Sequence, residues 1–339
     1  MKILVTGGCG FIGSHFIRHV LKNRPQARIV NLDKLTYAGR GRNLANLPIA
    51  HRKRYKLVRG DISDRRQVLS VMKKHRFDAV VNSAAETHVD RSILDATPFL
   101  KTNVIGTQVL LECARQAGIK KFLQISTDEV YGTLGARGKF RESDPLRPNS
   151  PYSASKAAAD LCCRGAHETY GQWVTITRCS NNYGPYQFPE KLIPLMVTNA
   201  LQDRPLPVYG DGKNVRDWIY AEDHAAALLR VLDRGAPGEI YNIGSHEERR
   251  NLEIVHRVLG LLGKPKSLVR HVRDRLGHDR RYAIDSRKIR RELGWKPAHD
   301  FSDALEQTVA WYCVNRQWWQ RLVRLREHRK FQSKYYKRR

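Results

Sequence analysis

Apolar positions along this chain follow two periods in alternation. Lys2–Thr6 (KILVT) is a short, largely apolar run that stops at glycine, the pattern of a buried strand. From Ser14 to Asn23, residues Phe16, Ile17, Val20 and Leu21 fall at helical spacing and give one apolar face. Arg28–Leu32 reads as a second strand, Tyr55–Val58 opens a third, Gln67–Lys74 is helical and Asp78–Asn82 is a fourth strand. A long helix from Phe99 to Gln116 leads to the strand Lys121–Ser126, and a helix Tyr152–Tyr170 leads to the strand Trp173–Arg178. Strands alternating with helices predict an α/β fold, a doubly wound parallel sheet covered on both faces.

Beyond Asn182 the pattern loosens. Pro185, Pro189, Pro205, Pro207, Gly210 and Gly212 punctuate it, with helices predicted at Lys191–Gln202 and Asn251–Leu262. The expectation is a nucleotide-binding domain over 1–180, to which later segments return. Residues 181–339 then form mainly a smaller mixed α/β substrate lobe ending in a basic tail. The 339 residues suit about two domains.

Composition narrows the classes. With 41% hydrophobic and 28% charged residues, the chain is neither collagen-like, disordered nor a disulfide scaffold. No run nears the roughly 20 apolar residues of a membrane helix. The apolar N-terminus is broken by glycines and followed by His15 and Arg18, unlike a signal peptide, so a cytoplasmic protein is expected. The six cysteines show no CxxC or zinc spacing and are expected to be reduced; no metal is expected. A net charge of +28 attracts polyanions without choosing among them, and its denser patches are His51–Arg54 and the last nineteen residues. A nucleic-acid-binding protein is the rival of a different class, but no zinc finger, RRM signature or zipper heptad supports it.

Gly7, Gly10 and Gly13, with Phe11 and Ile12 between them, lie at the first strand–helix junction in GxxGxxG spacing. This is a variant of the Rossmann dinucleotide fingerprint: a tight turn, backbone close to a pyrophosphate, and a helix N-terminus offering free N–H groups. Asp33 lies twenty residues after Gly13 at the end of the second strand, where a carboxylate accepts from ribose hydroxyls and repels a 2′-phosphate. NAD is therefore expected over NADP. Asp61-Ile62 ends the third strand, although Asp61 also suits a helix N-cap. Ser83-Ala84-Ala85 ends the fourth, with small residues where a cofactor passes close to the backbone.

Tyr152 and Lys156 stand four apart within a predicted helix, on one face. An ammonium beside a phenol is expected to lower the phenol's pKa and make it a general base for an alcohol proton. GxxGxxG with YxxxK resembles the extended short-chain dehydrogenases/reductases. The segment Ser126-Thr127-Asp128-Glu129-Val130-Tyr131-Gly132 resembles the signature of the dTDP-glucose 4,6-dehydratase group within them. So do Ala84–Ser92, Arg178–Pro185 and Gly277–Tyr282, and the likeness runs to about residue 320. Taken alone, adjacent Asp128 and Glu129 fit a turn or a cap as well as chemistry.

The resemblance implies a homodimer packed through Phe99–Gln116 and Tyr152–Tyr170, and a bound NAD regenerated in every cycle. It implies conversion of dTDP-glucose to dTDP-4-keto-6-deoxyglucose and water, with UDP-glucose or another nucleotide hexose left open as substrate. Tyr152, aided by Thr127 and Lys156, would take the 4-hydroxyl proton as C4 is oxidised. Glu129 would remove the C5 proton while Asp128 protonates the leaving C6 hydroxyl, before hydride returns to C6. Lys34, Thr102 and Asn182 join the implied cofactor residues. The implied substrate residues are Thr87, Thr127, Asn181, Glu190, Lys191, Pro207, Tyr209, Arg216, Asn251, Arg275 and His278. The sequence departs from the pattern at Leu276, where proline is usual, and at Arg249-Arg250, near the expected nucleotide site.

Overall fold

The computed structural model describes residues 1–39 and 41–325; the expected basic tail falls largely outside them. Seven strands form one sheet: β1 (Lys2–Thr6), β2 (Arg28–Asp33), β3 (Tyr55–Arg59), β4 (Ala79–Asn82), β5 (Lys121–Thr127), β6 (Val174–Cys179) and β10 (Ile240–Ile243). Their order is β10-β6-β5-β4-β1-β2-β3, and every pairing is parallel. The order reverses between β1 and β4, the position at which open α/β sheets leave a crevice beyond their carboxyl ends. Ile3, Leu4 and Val5 are fully buried because helices cover both faces. One side packs Phe16, Ile17 and Val20 with Leu228 and Val231, the other Val68, Leu110, Phe122 and Val174. At the edge, β3 leaves Lys56, Leu57 and Arg59 exposed, and the two charges discourage pairing with another sheet.

Two small sheets build the lobe: β7 (Asn181–Tyr183) and β11 (Glu248–Arg250) flank β9 (Val215–Tyr220), and β8 (Leu206–Tyr209) pairs with β12 (Val269–Val272). Its own core joins Tyr183, Met196, Trp218, Ile254 and Leu305 with Tyr312 and Trp319 from the last two described helices, Phe301–Val314 and Arg316–Val323.

Two elements differ from expectation. The first helix begins at Phe11 rather than Ser14, so its N-terminus sits directly on the glycine loop. The expected continuous helix Phe99–Gln116 is instead a turn at Thr97–Phe99, a π-helical stretch Leu100–Ile105 and an α-helix Gly106–Gln116. The wide turn places buried Asn103 against the backbone of Glu86, accepting from its N–H at 2.9 Å and donating to its carbonyl at 3.0 Å. π-turns of this kind concentrate at functional sites.

Within the basic run His51–Arg54, Arg52 and Lys53 are exposed, but both arginines are anchored to backbone. Arg52 donates to the carbonyls of Ala45 and Leu47, and Arg54 to those of Leu21, Arg24 and Ala27. The six cysteines form no disulfide, and no helix among the described residues is long and apolar enough to cross a membrane.

Candidate active site

The carboxyl ends of β1, β2, β4, β5 and β6 open into one cleft of about 1560 Å³, counting its mouth. Gly7 stands at its base with φ +65, and a Cβ there would lie 2.5 Å from the Ala84 Cα, so only glycine fits between the strands. Gly13 does not line the cleft as expected of a cofactor residue. A Cβ on it would meet the Gly7 carbonyl oxygen at 2.6 Å, so Gly13 lets the first helix close onto the loop. Gly10, Phe11 and Ile12 do line it, and no side chain caps the first turn of the helix Phe11–Asn23. Its N–H groups and positive dipole end are available to an anion.

Asp33 staples this loop. One carboxylate oxygen accepts from the Cys9 N–H and the other from the Leu35 N–H, both at 2.8 Å. Each oxygen keeps capacity for a ribose hydroxyl. Lys34 and Asp61 pair with each other at 2.8 Å beside it. Ile62, Ser83, Ala84, Ala85, Thr102 and Asn182 also line the cleft. Behind them runs a buried polar ladder across three strands: Thr6 donates to Asn82 at 2.6 Å, and Asn82 to Gln124 at 2.8 Å. Nothing in the local pattern announced these contacts.

Strand β5 delivers Thr127 and the carboxyl pair. It ends at Thr127, whose hydroxyl accepts from the Glu129 N–H and starts the tight turn Asp128–Tyr131. Pro151 in the first turn and the reciprocal Ser150–Ser153 capping box fix the start of the helix Pro151–Tyr170. That register brings Tyr152 and Lys156 to the same cleft as Thr127, Asp128 and Glu129.

The two carboxylates occupy unequal surroundings. Asp128 is 2% exposed, and burial, then Glu129 and Asp217, push its pKa well above the ordinary value; Arg216 and Thr127 only partly oppose this. One of its oxygens, Oδ2, is buried with no hydrogen-bond partner among the described residues. Burial also raises Glu129, but Arg275, Lys191 and Arg216 all pull it back toward the charged form. Two neighbouring carboxyls in surroundings this unlike are suited to serve one as acid and the other as base.

Tyr152 departs from expectation. Burial, then Glu129, hold its phenol well above the ordinary value, while a hydrogen bond with Thr127 lowers it. Lys156, its own pKa lowered by burial, donates to the Ile125 carbonyl at 2.7 Å.

Of the expected substrate residues, Thr87, Asn181, Glu190 and Lys191 line the cleft, and Asn181 Oδ1 is buried without a partner among the described residues. Both oxygens of Glu190 are engaged inside the protein, by Tyr37 and Arg91. Pro207 lies in β8, paired with Arg270 and away from the cleft lining. Tyr209, Arg275 and His278 form an adjoining cluster. Tyr209 donates to Asp90 at 2.9 Å, Arg275 pairs with Asp90 at 3.5 Å, and the Tyr209 and His278 rings are 6.0 Å apart. Burial lowers the His278 pKa to about 4, so it enters as a neutral hydrogen-bonding ring. Arg216, buried under the Tyr282 ring at 4.4 Å, already donates to the carbonyls of Val215 and Asp279, which leaves less of its fork for a phosphate. Asn251 opens the helix Asn251–Leu261 with its Oδ1 buried and unpartnered among the described residues. Arg249 pairs with Glu247 and Glu253, and Leu276 is 63% exposed. Sequence reasoning gave no role to Glu86, Asp90 and Arg91, although they lie in the motif Ala84–Ser92, nor to Phe188; their placement depends on contacts between distant segments.

Residues 4–308 match the profile of the GDP-mannose 4,6-dehydratase family. A dTDP-glucose 4,6-dehydratase from Xanthomonas campestris pv. campestris is 50% identical over 93% of this chain and 94% of its own. The crystal structure of the dTDP-glucose 4,6-dehydratase DesIV from Streptomyces venezuelae, with NAD bound, superposes with a TM-score of 0.92 at 52% identity, covering 95% of this chain and all of that one. A UDP-glucose 4-epimerase from Thermus thermophilus, in complex with NAD, reaches 0.86 at 30% identity over 93% of this chain and all of that one. The fold is thus shared by enzymes of different reactions, and the site must distinguish them.

Proposed function

The chain belongs to the GDP-mannose 4,6-dehydratase family, and from that premise we propose that it converts dTDP-glucose to dTDP-4-keto-6-deoxyglucose and water, as a hydro-lyase. The observation that carries the reaction is the carboxyl pair at the end of β5, which lines the same cleft as Tyr152 and Lys156 in unlike surroundings: burial and Glu129 raise Asp128 well above its ordinary pKa, while Arg275, Lys191 and Arg216 draw Glu129 back toward its charged form. An epimerase has no need of either.

The glycine loop, the uncapped helix and Asp33 suit NAD, which when bound supplies a positively charged hydride acceptor for sugar C4 and later a donor to C6. The chain's own groups then handle protons. Tyr152 would take the 4-hydroxyl proton as its phenolate, a form that the Thr127 hydrogen bond, the Lys156 ammonium fixed by the Ile125 carbonyl and the positive charge of a bound nicotinamide would favour. The 4-ketone acidifies C5, and Glu129 removes that proton. Asp128 gives its proton to the departing C6 oxygen, so the C5 hydrogen, as a proton, and the C6 hydroxyl leave as the elements of water and the C5–C6 double bond forms. After C6 is reduced, Glu129 returns a proton to C5. Closure of the lobe above excludes water from this sequence.

Residues 1–180 with β10 hold the cofactor in this reading, and 181–325 mainly the nucleotide sugar. Arg275 and Lys191, both drawn toward Glu129 electrostatically, are assigned to the diphosphate with Arg216. Solvent-facing Leu100, Ile105 and Leu161, 51–58% exposed on the two expected helices, support a homodimer. Unpaired cysteines support a cytoplasmic setting.

The test is the path of one hydrogen. Glucose nucleotide deuterated at C4, as dTDP and as UDP derivatives in separate reactions, is turned over with unlabelled, mass-tagged substrate. Deuterium in the C6 methyl group, confined to molecules that began with it, is expected with dTDP-glucose. Label kept at C4, or released in soluble NADH, refutes the reaction. Faster turnover of UDP-glucose refutes the nucleobase.

A further inference from the structure

The cofactor of this reaction must survive each cycle in place, because hydride taken from C4 has to be returned to C6. A loop after β2 suits that requirement, and this inference rests on the NAD-dependent reading above. Thr36, Ala38 and Gly39 line the cleft, and a Cβ on Gly39 would sit 3.2 Å from Asp33 Oδ1, so the loop lies directly over the expected adenosine ribose. Its base is anchored: Leu35, at φ +60, donates its N–H to Asp33, and Asn43 donates to the Cys9 carbonyl at 3.0 Å.

Tyr37 at the centre of this loop reaches across to the lobe. Its hydroxyl donates to Glu190 Oε1 at 2.8 Å, over a separation of 153 residues. Arg91, from the segment after β4, stacks its guanidinium 4.0 Å from the Tyr37 ring centroid and donates to Glu190 Oε2 at 3.2 and 3.3 Å. Phe188 meets the same ring edge-on at 5.2 Å. The next residue makes a parallel crossing, with Lys191 Nζ donating to the Thr87 carbonyl at 2.8 Å. Three chain segments therefore close over one half of the cleft through a single phenol–carboxylate bond backed by an arginine.

We propose that Tyr37 is a positioning residue for the cofactor: its bond to Glu190 latches the loop Thr36–Gly39 over the adenosine half of NAD and slows NAD exchange. The latch is charge-assisted on the acceptor side, the strong class of neutral-donor hydrogen bond. Burial holds the phenol well above its ordinary pKa and so keeps it a donor, while His88, Arg91 and Lys191 outweigh burial at Glu190 and keep it an acceptor. Tyr37 touches no reacting atom in this scheme, so losing its hydroxyl should release cofactor without removing any proton-handling group.

The test uses the holoenzyme and Tyr37→Phe, which deletes one oxygen and keeps the ring between Arg91 and Phe188. Purified protein is mixed with excess isotopically labelled NAD, separated at intervals by gel filtration, and the bound cofactor is read by mass spectrometry. Loss of a hydrogen bond to a charged group predicts exchange about tenfold to a hundredfold faster. The NAD-free forms of parent and variant are melted alongside, so that a loss of fold stability is read separately from faster exchange. In the C4-deuterium experiment the variant should scramble label between sugar molecules, a readout that a merely structural role leaves unmoved. Exchange within about threefold of the parent overturns the latch, as does a lowered melting temperature with unchanged exchange. If the parent itself carries and takes up no NAD, the functional reading falls and the latch with it. NAD uptake with equal exchange rates removes the latch alone.

Discussion

Asp128→Asn separates elimination from oxidation. The amide keeps the shape of the side chain and an oxygen to accept from Thr127, a contact of 3.3 Å in the parent. What it loses is an acidic proton. In the parent, burial and the neighbouring carboxylates Glu129 and Asp217 hold that proton well above the pH at which a solvated aspartate releases it. In the proposed scheme Glu129 is the base, and Arg216, the cation next to the pair, is too weak an acid to replace it. A general acid typically contributes about 10²- to 10⁴-fold, or roughly 3–5 kcal/mol of barrier, and the buried setting argues for the upper half of that range. Tyr152, Lys156 and the cofactor site are untouched, so the first oxidation should stay within a few fold of the parent. In a single turnover with excess enzyme, the near-ultraviolet absorbance of reduced nicotinamide should therefore rise and persist, whereas the parent shows little. Sugar recovered from D₂O should carry deuterium at C5, because Glu129 still exchanges that proton. The sign of the stability effect is also fixed. A folded-state pKa raised above the unfolded value costs stability as pH rises through that interval, and asparagine removes this cost. The variant should therefore melt at or above the parent temperature at neutral pH. Water elimination at the parent rate would refute the role of Asp128, and equal slowing of both half-reactions would show a distorted site instead.

Turnover should fall at high pH as Asp128 loses its proton and at low pH as Glu129 gains one; Asp128→Asn should abolish the basic limb caused by Asp128, seen in a kcat–pH profile. Gly7→Ala forces a Cβ to within 2.5 Å of Ala84 at φ +65 and should cost about 1–3 kcal/mol in chemical denaturation together with bound NAD. Asp160→Ala strands Arg178, now paired at 2.9 Å with both side chains nearly sealed from solvent, and should cost about 3–5 kcal/mol; a loss under about 1 kcal/mol would contradict the buried-pair account. Asp33→Asn removes the charge that repels a 2′-phosphate, so the ratio of NAD to NADP affinities, measured by calorimetry, should fall at least about tenfold.

Features carried by short spacings were legible in the chain. The alternation of strand and helix gave the parallel sheet, because a strand buried on both faces must be apolar throughout and a covering helix must repeat near 3.6 residues. The glycine loop, Asp33 at a strand end, and Tyr152 one turn before Lys156 are likewise local, and their fit to known motifs supplied the reaction. Position alone did not show what each does: Gly13 packs the first helix onto the loop rather than lining the cleft, and burial with Glu129 holds the Tyr152 phenol above its ordinary pKa.

The remainder depended on which distant segments meet. Thr6, Asn82 and Gln124 look like polar interruptions in apolar strands until the order β1-β4-β5 sets them side by side. A π-turn cannot be read from Leu100–Ile105, since it accompanies the contact of Asn103 with Glu86 and Ser155 on other elements. The sequence places Asp128 and Glu129 together and makes them equivalent acids. Only the tertiary structure sets Arg275 and Lys191 to favour the charged form of Glu129 more strongly than Asp128 is favoured by its own surroundings. A chain's spacing dictates which groups are neighbours along it, whereas burial and field, which decide what a carboxyl does, are properties of everything packed around it.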